Sequence, residues 1–144
     1  MSEPDFTRYS LELLREGDVI YRSAEPGLRP LFIALEECRS LSGQGKLTLH
    51  DRATGLAAAR LIVHSGLIAR IFTRIASRPA LTLLADSGIT IRAETVVDNI
   101  LRKDRAGICP AEMTALGTED YDAFVIKLQE LFRAMQKPDG TPSR

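Results

Sequence analysis

The segment with the clearest potential for chemistry contains Cys109, followed by Pro110 and then by Glu112. Proline suits the first position of a helix and glutamate suits the first turn, so this pattern predicts a helix that begins just after Cys109. A helix N-terminus stabilises a thiolate. Nearby Lys103 and Arg105 act in the same direction, whereas Glu112 opposes it. Cys109 is therefore a candidate catalytic nucleophile, and the alternative is a small buried residue beside a capping box.

A second group of polar residues follows two apolar runs that we expect to be strands. Asp51 ends the first run, shortly before Gly55, and Ser77-Arg78 follow the second. Loops at the carboxyl ends of parallel strands commonly form ligand sites, and helix N-termini attract anions. Asp51 has the alternative role of a helix cap. With the cysteine segment, these residues define a predicted ligand-binding site made of Asp51, Gly55, Ser77, Arg78, Asp104, Gly107 and Glu112.

The residues around His50 argue against zinc chemistry. Zinc-dependent deaminases carry a His (or Cys)-x-Glu at such a strand end and a Pro-Cys-x-x-Cys at the start of the following helix. Here Arg52 stands at the glutamate position, and Pro79 is followed by Ala-Leu-Thr-Leu. A catalytic zinc needs three protein ligands, and this pattern supplies at most one. We therefore predict no metal and no cofactor, and we assign His64 to the core or to an interface.

Apolar patterning predicts an α/β domain in which strands and helices alternate after an opening hairpin at residues 9–16 and 19–23. A helix is expected from Gly27-Leu28-Arg29-Pro30 to about Leu41, ended by Gly43-Gln44-Gly45. We then expect strands at 46–50, 67–75 and 89–92, and helices at 55–65, 77–87, 95–103 and 119–136. We expect Thr54 or Asp51 to cap the start of the helix at 55–65 and Gly66 to close its end. Ser77 is the expected cap at the start of the next helix. Alternation of this kind favours parallel pairing with right-handed crossovers, so we predict a three-layer α/β/α fold with a mixed sheet and an N-terminal antiparallel hairpin.

Length and composition describe one globular domain. The chain has 144 residues, of which 44% are hydrophobic and 26% are charged, which suffices for a single core. We expect one domain at residues 9–136 between flexible segments at 1–8 and 137–144. The acidic start, the lack of a long apolar run and only two distant cysteines, Cys38 and Cys109, predict a cytoplasmic protein.

The formal net charge is zero, which argues against general binding to nucleic acid or to an anionic membrane. The charge is unevenly distributed, because residues 51–105 carry nine Lys/Arg and five Asp/Glu, a local excess of +4. This excess suggests an anion-binding face, and the alternative is a set of arginines solvated on unrelated surfaces. The amphipathic helix at 119–136 is expected to serve the core or a homodimer interface.

Four short motifs occur together in this chain: Gly27-Leu28-Arg29-Pro30-Leu31, Asp51…Gly55-x-Ala57-Ala58-Ala59, Ser77-Arg78-Pro79-Ala80-Leu81 and Gly107-x-Cys109-Pro110-x-Glu112. In this order they resemble a small prokaryotic family, domain of unknown function 1893, of the cytidine-deaminase-like superfamily. The resemblance covers about residues 9–118. It implies the deaminase-type three-layer fold without zinc, and it brings no established activity. The chain departs from the family pattern at Leu56, where a lysine is usual, and at residues 102–107, where the family tends to have Asn-Arg-Asp-Gly-Thr-Gly.

The leading functional hypothesis is a protein without zinc chemistry that binds a small anionic or nucleotide-like ligand, as a regulatory or accessory domain. The first alternative is an enzyme or redox protein that depends on Cys109. The second alternative is a structural homodimer, built on the final helix, with no small-molecule role.

Overall fold

The fold is built on a five-stranded mixed sheet with the strand order β2-β1-β3-β4-β5. The computed structural model describes residues 3–41 and 46–136. The strands are β1 (Leu11–Arg15), β2 (Asp18–Ser23), β3 (Leu47–Thr54), β4 (Ile68–Ser77) and β5 (Thr90–Val97). The helices are α1 (Arg29–Glu37), α2 (Leu56–Ser65), α3 (Arg78–Asp86), α4 (Pro110–Gly117) and α5 (Tyr121–Gln136), with a short 3-10 turn at Arg39–Leu41. The predicted α/β class and the opening hairpin are confirmed.

The sheet combines an antiparallel half with a parallel half. β1 pairs antiparallel with both β2 and β3, whereas β3, β4 and β5 run parallel. The hairpin turn uses Glu16 and Gly17, whose φ angles of 54° and 89° are typical of tight hairpin turns. Because β3 and β4 are parallel neighbours, their carboxyl ends lie at the same sheet edge, where α2 and α3 begin.

Within the described residues, the helices pack on one face of the sheet. The crossovers β3-α2-β4 and β4-α3-β5 advance in the same direction, so right-handed connections place α2 and α3 on the same side. α1 contacts α2, α4 contacts α2, and α5 contacts α4. The buried helix side chains form one cluster with strand residues such as Leu13, Leu49 and Ile71. The described contacts therefore do not show the second helical layer that we predicted, because a strand order that advances steadily keeps the crossover helices on one side.

Most helix boundaries follow from local capping. Ser77 caps α3 as predicted, since its Oγ accepts a hydrogen bond from a first-turn N–H at 3.3 Å. Gly66 ends α2 as predicted, with a φ of 67°. The predicted N-terminal cap of α2 is wrong. β3 continues to Thr54, so Gly55 takes the N-cap position, and neither Thr54 nor Asp51 caps the helix.

Residues 95–103, which we predicted to be helical, do not form a helix. β5 continues through Val97, and the loop that follows is pinned by an antiparallel bridge between Leu101 and Ile108. The prediction fails because Thr95 and Val96 pair with β4, and β-branched residues suit a strand. β3 and β4 also extend further than predicted. The predicted helix stop at 43–45 and the tail at 137–144 lie outside the described residues.

The apolar stripe of α5 is used inside the chain. Phe124 and Phe132 are buried, and the ring centroids of Phe132 and Phe32 are 5.7 Å apart. The stripe that we assigned to the core or to a dimer interface therefore packs in the core. His64 is exposed and stacks on Tyr121, with ring centroids 3.8 Å apart. None of the described helices has the length and apolar character needed to cross a membrane.

Candidate functional site

A small cavity lies where the carboxyl end of β3 meets the starts of α1, α2 and α4. Its volume is about 150 Å³. Most of its wall is apolar, and the lining residues with polar side chains are Ser10, Asp51, Arg52, Cys109 and Glu112. Gly55 also lines it. Four of the predicted site residues, from two distant parts of the chain, therefore meet around one cavity.

The carboxylate of Glu112 closes the N-terminus of α2. Its oxygens accept hydrogen bonds from the Leu56 and Ala57 N–H groups at 2.7 and 2.8 Å. The first N–H groups of a helix have no partner within it, so a carboxylate at this point acts as a cap. Burial raises the pKa of Glu112, and its two hydrogen bonds act in the opposite direction. The capping box that we gave as part of the alternative for Cys109 is therefore not formed within α4, because Glu112 caps a different helix.

Gly55 provides the space for this contact. A Cβ atom at position 55 would lie 2.5 Å from the Glu112 carboxylate, which is closer than non-bonded atoms approach. The backbone there is extended, with a φ of −99°, so the glycine is needed for space and not for an unusual dihedral angle. Gly55 and Glu112 are thus the two halves of one contact.

Asp51 is a buried acid in the cavity wall, with 8% of its surface exposed. Burial raises its pKa from 3.8 to about 7. Hydrogen bonds from the backbone N–H groups of Ala53 and Arg52 act in the opposite direction, as does the Thr54 hydroxyl, whose Oγ1 donates to Oδ2 at 3.4 Å. A carboxyl whose pKa lies near neutrality exchanges its proton at physiological pH, which is the property required of a general acid or base.

Cys109 takes the N-cap position of α4, as predicted. The residue is half-buried and lines the cavity together with Ile100 and Ala111. Its backbone N–H donates to the Ile100 carbonyl at 3.0 Å, and its thiol makes no capping hydrogen bond. The cavity therefore brings a free thiol and the carboxyl of Asp51 to one space.

Two predicted ligand-binding residues at the start of α3 lie outside the lining of this cavity. Ser77 is fully buried and is engaged as the cap of α3. Arg78 is exposed, and its Nε is 3.0 Å from an oxygen of Asp98. A binding role for both residues stays a prediction.

The other two predicted residues outside the lining belong to the loop before α4. Asp104 forms an ion pair with Arg102 at 2.7 Å, and the Gly107 carbonyl accepts the Arg102 N–H at 2.8 Å. These bonds shape the loop that leads to Cys109. Ligand binding by Asp104 and Gly107 also stays a prediction.

Ser10 and the start of α1 also line the cavity, which we did not predict. The Ser10 hydroxyl lies 2.6 Å from the Glu25 carbonyl, to which it donates, and this bond fastens the segment that leads into α1. Gly27, Leu28 and Leu31 then form part of the wall. The only signal in the sequence was the Gly27-Leu28 motif, which we interpreted as a helix start.

His50 lies on the opposite face of the sheet from the cavity. Its Nδ1 is 3.3 Å from Glu12 Oε1, and its ring stands edge-on to Phe72 with centroids 5.6 Å apart. Successive strand residues point to opposite faces, so the side chain that we compared with a zinc ligand points away from Asp51. Among residues 3–41 and 46–136, no group of three or more His, Cys, Asp or Glu side chains is arranged to hold a metal ion.

Fold and site together define an α/β domain whose mixed sheet carries its helices on one face and a small cavity at the end of β3. The family model described as TM1506, domain of unknown function (DUF1893), matches residues 6–132, so the chain belongs to this family. Its fold is similar to the crystal structure of a DUF1893 family protein (TM1506) from Thermotoga maritima. The TM-score is 0.74 and the identity 24%, over 87% of this chain and 82% of that chain. No curated protein matches the sequence.

Proposed function

We propose that this chain binds a small, uncharged, ring-sized molecule in the cavity at Asp51, without zinc chemistry, as a binding or regulatory domain. The observation that carries this proposal is the cavity of about 150 Å³ with Asp51, whose pKa is raised to about 7, in its wall. A cavity of about this size holds a benzene-sized molecule. A carboxyl that is partly protonated at neutral pH both donates and accepts hydrogen bonds, as recognition of a heterocycle requires.

The charge of the cavity favours an uncharged ligand over the anionic ligand that we expected from the sequence. The N–H groups of Leu56 and Ala57, which would attract an anion, are bonded to Glu112. An anion would also face the buried carboxylate form of Asp51, and like charges repel strongly where water is excluded. The cationic lining residue Arg52 is engaged elsewhere, because its Nε donates to the Phe6 carbonyl. Of a nucleotide-like ligand, only the base ring fits in about 150 Å³, so the sugar and phosphate would lie outside.

We also propose that the β3-α2-β4-α3 unit has the arrangement found in the cytidine-deaminase-like superfamily. In support, α2 and α3 begin at the ends of β3 and β4 at one sheet edge, where zinc deaminases carry their ligand motifs. Pro79 lies in the first turn of α3, as in those motifs. A superposition of β3-α2-β4-α3 on a zinc deaminase in the same order and direction would test this part of the proposal.

Ligand binding is tested with a screen of single-ring heterocycles and their carboxylated analogues, read by thermal stability and by NMR. The uncharged compounds are expected to stabilise the wild-type protein, by about 2.7 kcal/mol at 100 times the dissociation constant. Ala53 is exposed and lines the cavity, so Ala53→Phe is expected to block the entrance and to abolish the effect. Ala69→Phe, at an exposed position of β4, is the matched control. Stabilisation by the anionic analogues alone, or equally in both variants, would contradict the proposal.

A second candidate function is an enzyme that uses Cys109 as nucleophile. The specific observation is that Cys109 and Asp51 line the same cavity, so that the carboxylate form of Asp51 is available to accept the thiol proton. Iodoacetamide is expected to label Cys109 faster than Cys38, because burial raises the pKa of Cys38. Labelling of Cys109 should also slow in Ala53→Phe and stay unchanged in Ala69→Phe. An inert Cys109 would rule this function out.

A further inference from the structure

Arginines are concentrated on the face of the sheet opposite the helices (the open face). The pairs His50–Phe72 and Phe72–Arg92 are in register across β3, β4 and β5, so these side chains share one face. Because strand positions alternate between faces, residues two positions along each strand join them. The open face of the parallel strands includes Thr48, His50, Arg52, Arg70, Phe72, Arg74, Arg92 and Glu94.

Two of these arginines are held by no acidic partner. Arg74 and Arg92 are exposed, and neither forms an ion pair within the part of the chain that the structure describes. Arg92 lies over Phe72, with its guanidinium carbon 5.8 Å from the ring centroid. Several of the acidic residues lie instead on the helices, including Glu36, Glu37, Asp86, Asp122 and Glu130. The net charge of zero therefore conceals a basic sheet face.

A slot with aromatic walls opens on this face, between the N-terminal segment and the sheet. It has a volume of about 330 Å³ and is lined by Glu3, Pro4, Phe6, Phe72, Thr73, Arg92 and Glu94. The segment is tied to the sheet because the Phe6 carbonyl accepts a hydrogen bond from Arg52 Nε at 2.9 Å. Aromatic rings bordered by guanidinium groups offer stacking for a base and charge for its phosphates. The carboxylates of Glu3 and Glu94 can accept hydrogen bonds from the exocyclic amino group of cytosine or adenine.

We infer that the open face binds single-stranded nucleic acid, with an amino-bearing base in the slot between Phe6 and Phe72 and the backbone along Arg74 and Arg92. Charge complementarity with a polyanion and the aromatic slot carry this inference together. An anionic membrane would account for the arginines and leave the slot with its two carboxylates unexplained. A second copy of this chain would bring its own arginines against these, which is unfavourable.

The inference is tested by fluorescence anisotropy with labelled 12-nucleotide oligo(dC), oligo(dA) and oligo(dT) at a series of salt concentrations. We expect the full chain to bind, and to bind oligo(dC) and oligo(dA) more tightly than oligo(dT), which lacks the amino group. Each phosphate contact on a single strand contributes about 0.7 to the slope of log K against log salt. The double variant Arg74→Glu/Arg92→Glu should therefore show a slope that is shallower by about 1.4. Its affinity at low salt should fall by about tenfold or more.

The matched control is Lys103→Glu/Arg133→Glu, which makes the same change of net charge at exposed positions away from the open face. It is expected to bind like the wild-type protein. Phe72→Leu should weaken binding to all three oligonucleotides, because it removes a stacking surface that every base can use, and it should leave the salt slope unchanged. Circular dichroism checks that each variant is folded.

Absence of binding to all three oligonucleotides, or an equal loss in the control variant, would overturn the inference. The inference would also be overturned if the protein bound phosphatidylserine vesicles but no oligonucleotide, and if Arg74→Glu/Arg92→Glu abolished the binding to vesicles. Sedimentation that shows a wild-type dimer broken by the same variant would assign the face to a second copy and would equally overturn it.

Discussion

Replacing Asp51 by Asn is expected to make the protein more stable, and increasingly so as the pH rises. Asp51 is buried, and its pKa lies at about 7 in the folded chain against 3.8 for the ordinary carboxyl. The folded state therefore retains a proton that the unfolded state has already released between about pH 4 and pH 7. Unfolding becomes more favourable with rising pH wherever the folded state binds more protons. The stability that the protonated Asp51 carboxyl contributes is thus fully present below about pH 4, and it is lost as the pH rises to about 7.

The size of the effect follows from the two pKa values. Each tenfold change in proton affinity corresponds to about 1.4 kcal/mol, so the change from 3.8 to about 7 corresponds to about 4 kcal/mol, to order of magnitude. Asn has nearly the same shape and no charge, and its carbonyl can accept the backbone hydrogen bonds of Asp51. The difference in unfolding free energy between Asp51→Asn and wild type should rise from near zero at about pH 4 to about 4 kcal/mol at about pH 8.

Urea unfolding followed by far-ultraviolet circular dichroism measures this difference at a series of pH values. Asp86→Asn is the matched control, because it makes the same chemical change at an exposed residue at the end of α3. A flat profile for Asp51→Asn would mean that the fold does not shift the pKa of Asp51. A variant that loses stability relative to wild type as pH rises would mean that the fold favours the carboxylate. Either result would contradict the prediction and would show that Asp51 is not available for proton transfer near pH 7.

The remaining predictions concern the contact between α4 and α2 and the cap of α3. Glu112→Ala removes two hydrogen bonds to a charged group, each contributing about 1.5–3 kcal/mol. Urea unfolding should therefore show an unfolding free energy that is lower by about 3 kcal/mol or more. Added formate should restore part of this stability in the Glu112→Ala variant alone. Gly55→Ala places a Cβ 2.5 Å from the same carboxylate and should lower the melting temperature, whereas Gly117→Ala, where nothing lies within 4 Å, should not. Ser77→Ala removes the cap of α3 and should lose about 1 kcal/mol in the same unfolding assay, and an unchanged stability would show that the 3.3 Å hydrogen bond contributes nothing.

The parts of the fold that could be predicted from sequence are those determined by local patterns. The hairpin, the α2 stop at Gly66 and the α3 cap at Ser77 each follow from residues within a few positions of one another. The helix predicted at 95–103 failed because pairing with β4 decides the structure of Thr95 and Val96, and the partner strand lies about twenty residues earlier in the chain. The strand order of the whole sheet also decides on which face the helices pack, and the strand order cannot be read from any single segment.

The candidate site shows the same division. Local reasoning identified Cys109 at the start of α4 and Asp51 at the end of β3, but it gave Glu112 the wrong partner. Cys109 and Glu112 have the spacing of a capping box, yet the Glu112 carboxylate accepts from Leu56 and Ala57, the first N–H groups of α2, far earlier in the chain. Burial of Asp51, which sets its pKa, depends on α1, α2 and α4 closing over it, and it has no signature in the surrounding sequence.

The contact between Gly55 and Glu112 limits the chemistry that the cavity can perform. Because the Glu112 carboxylate is bonded to two N–H groups, it is a structural anion, and its protonation would break the cap of α2. The proton donors and acceptors left in the cavity are then Asp51 and the Cys109 thiol, and the positive end of α2 is no longer available to an external anion. Replacing Glu112 therefore separates two roles: it should weaken the fold, and it should open the α2 N-terminus to formate while leaving Asp51 in place. A site that evolved to bind an anion would keep those N–H groups free, and this chain instead supplies the anion from its own sequence.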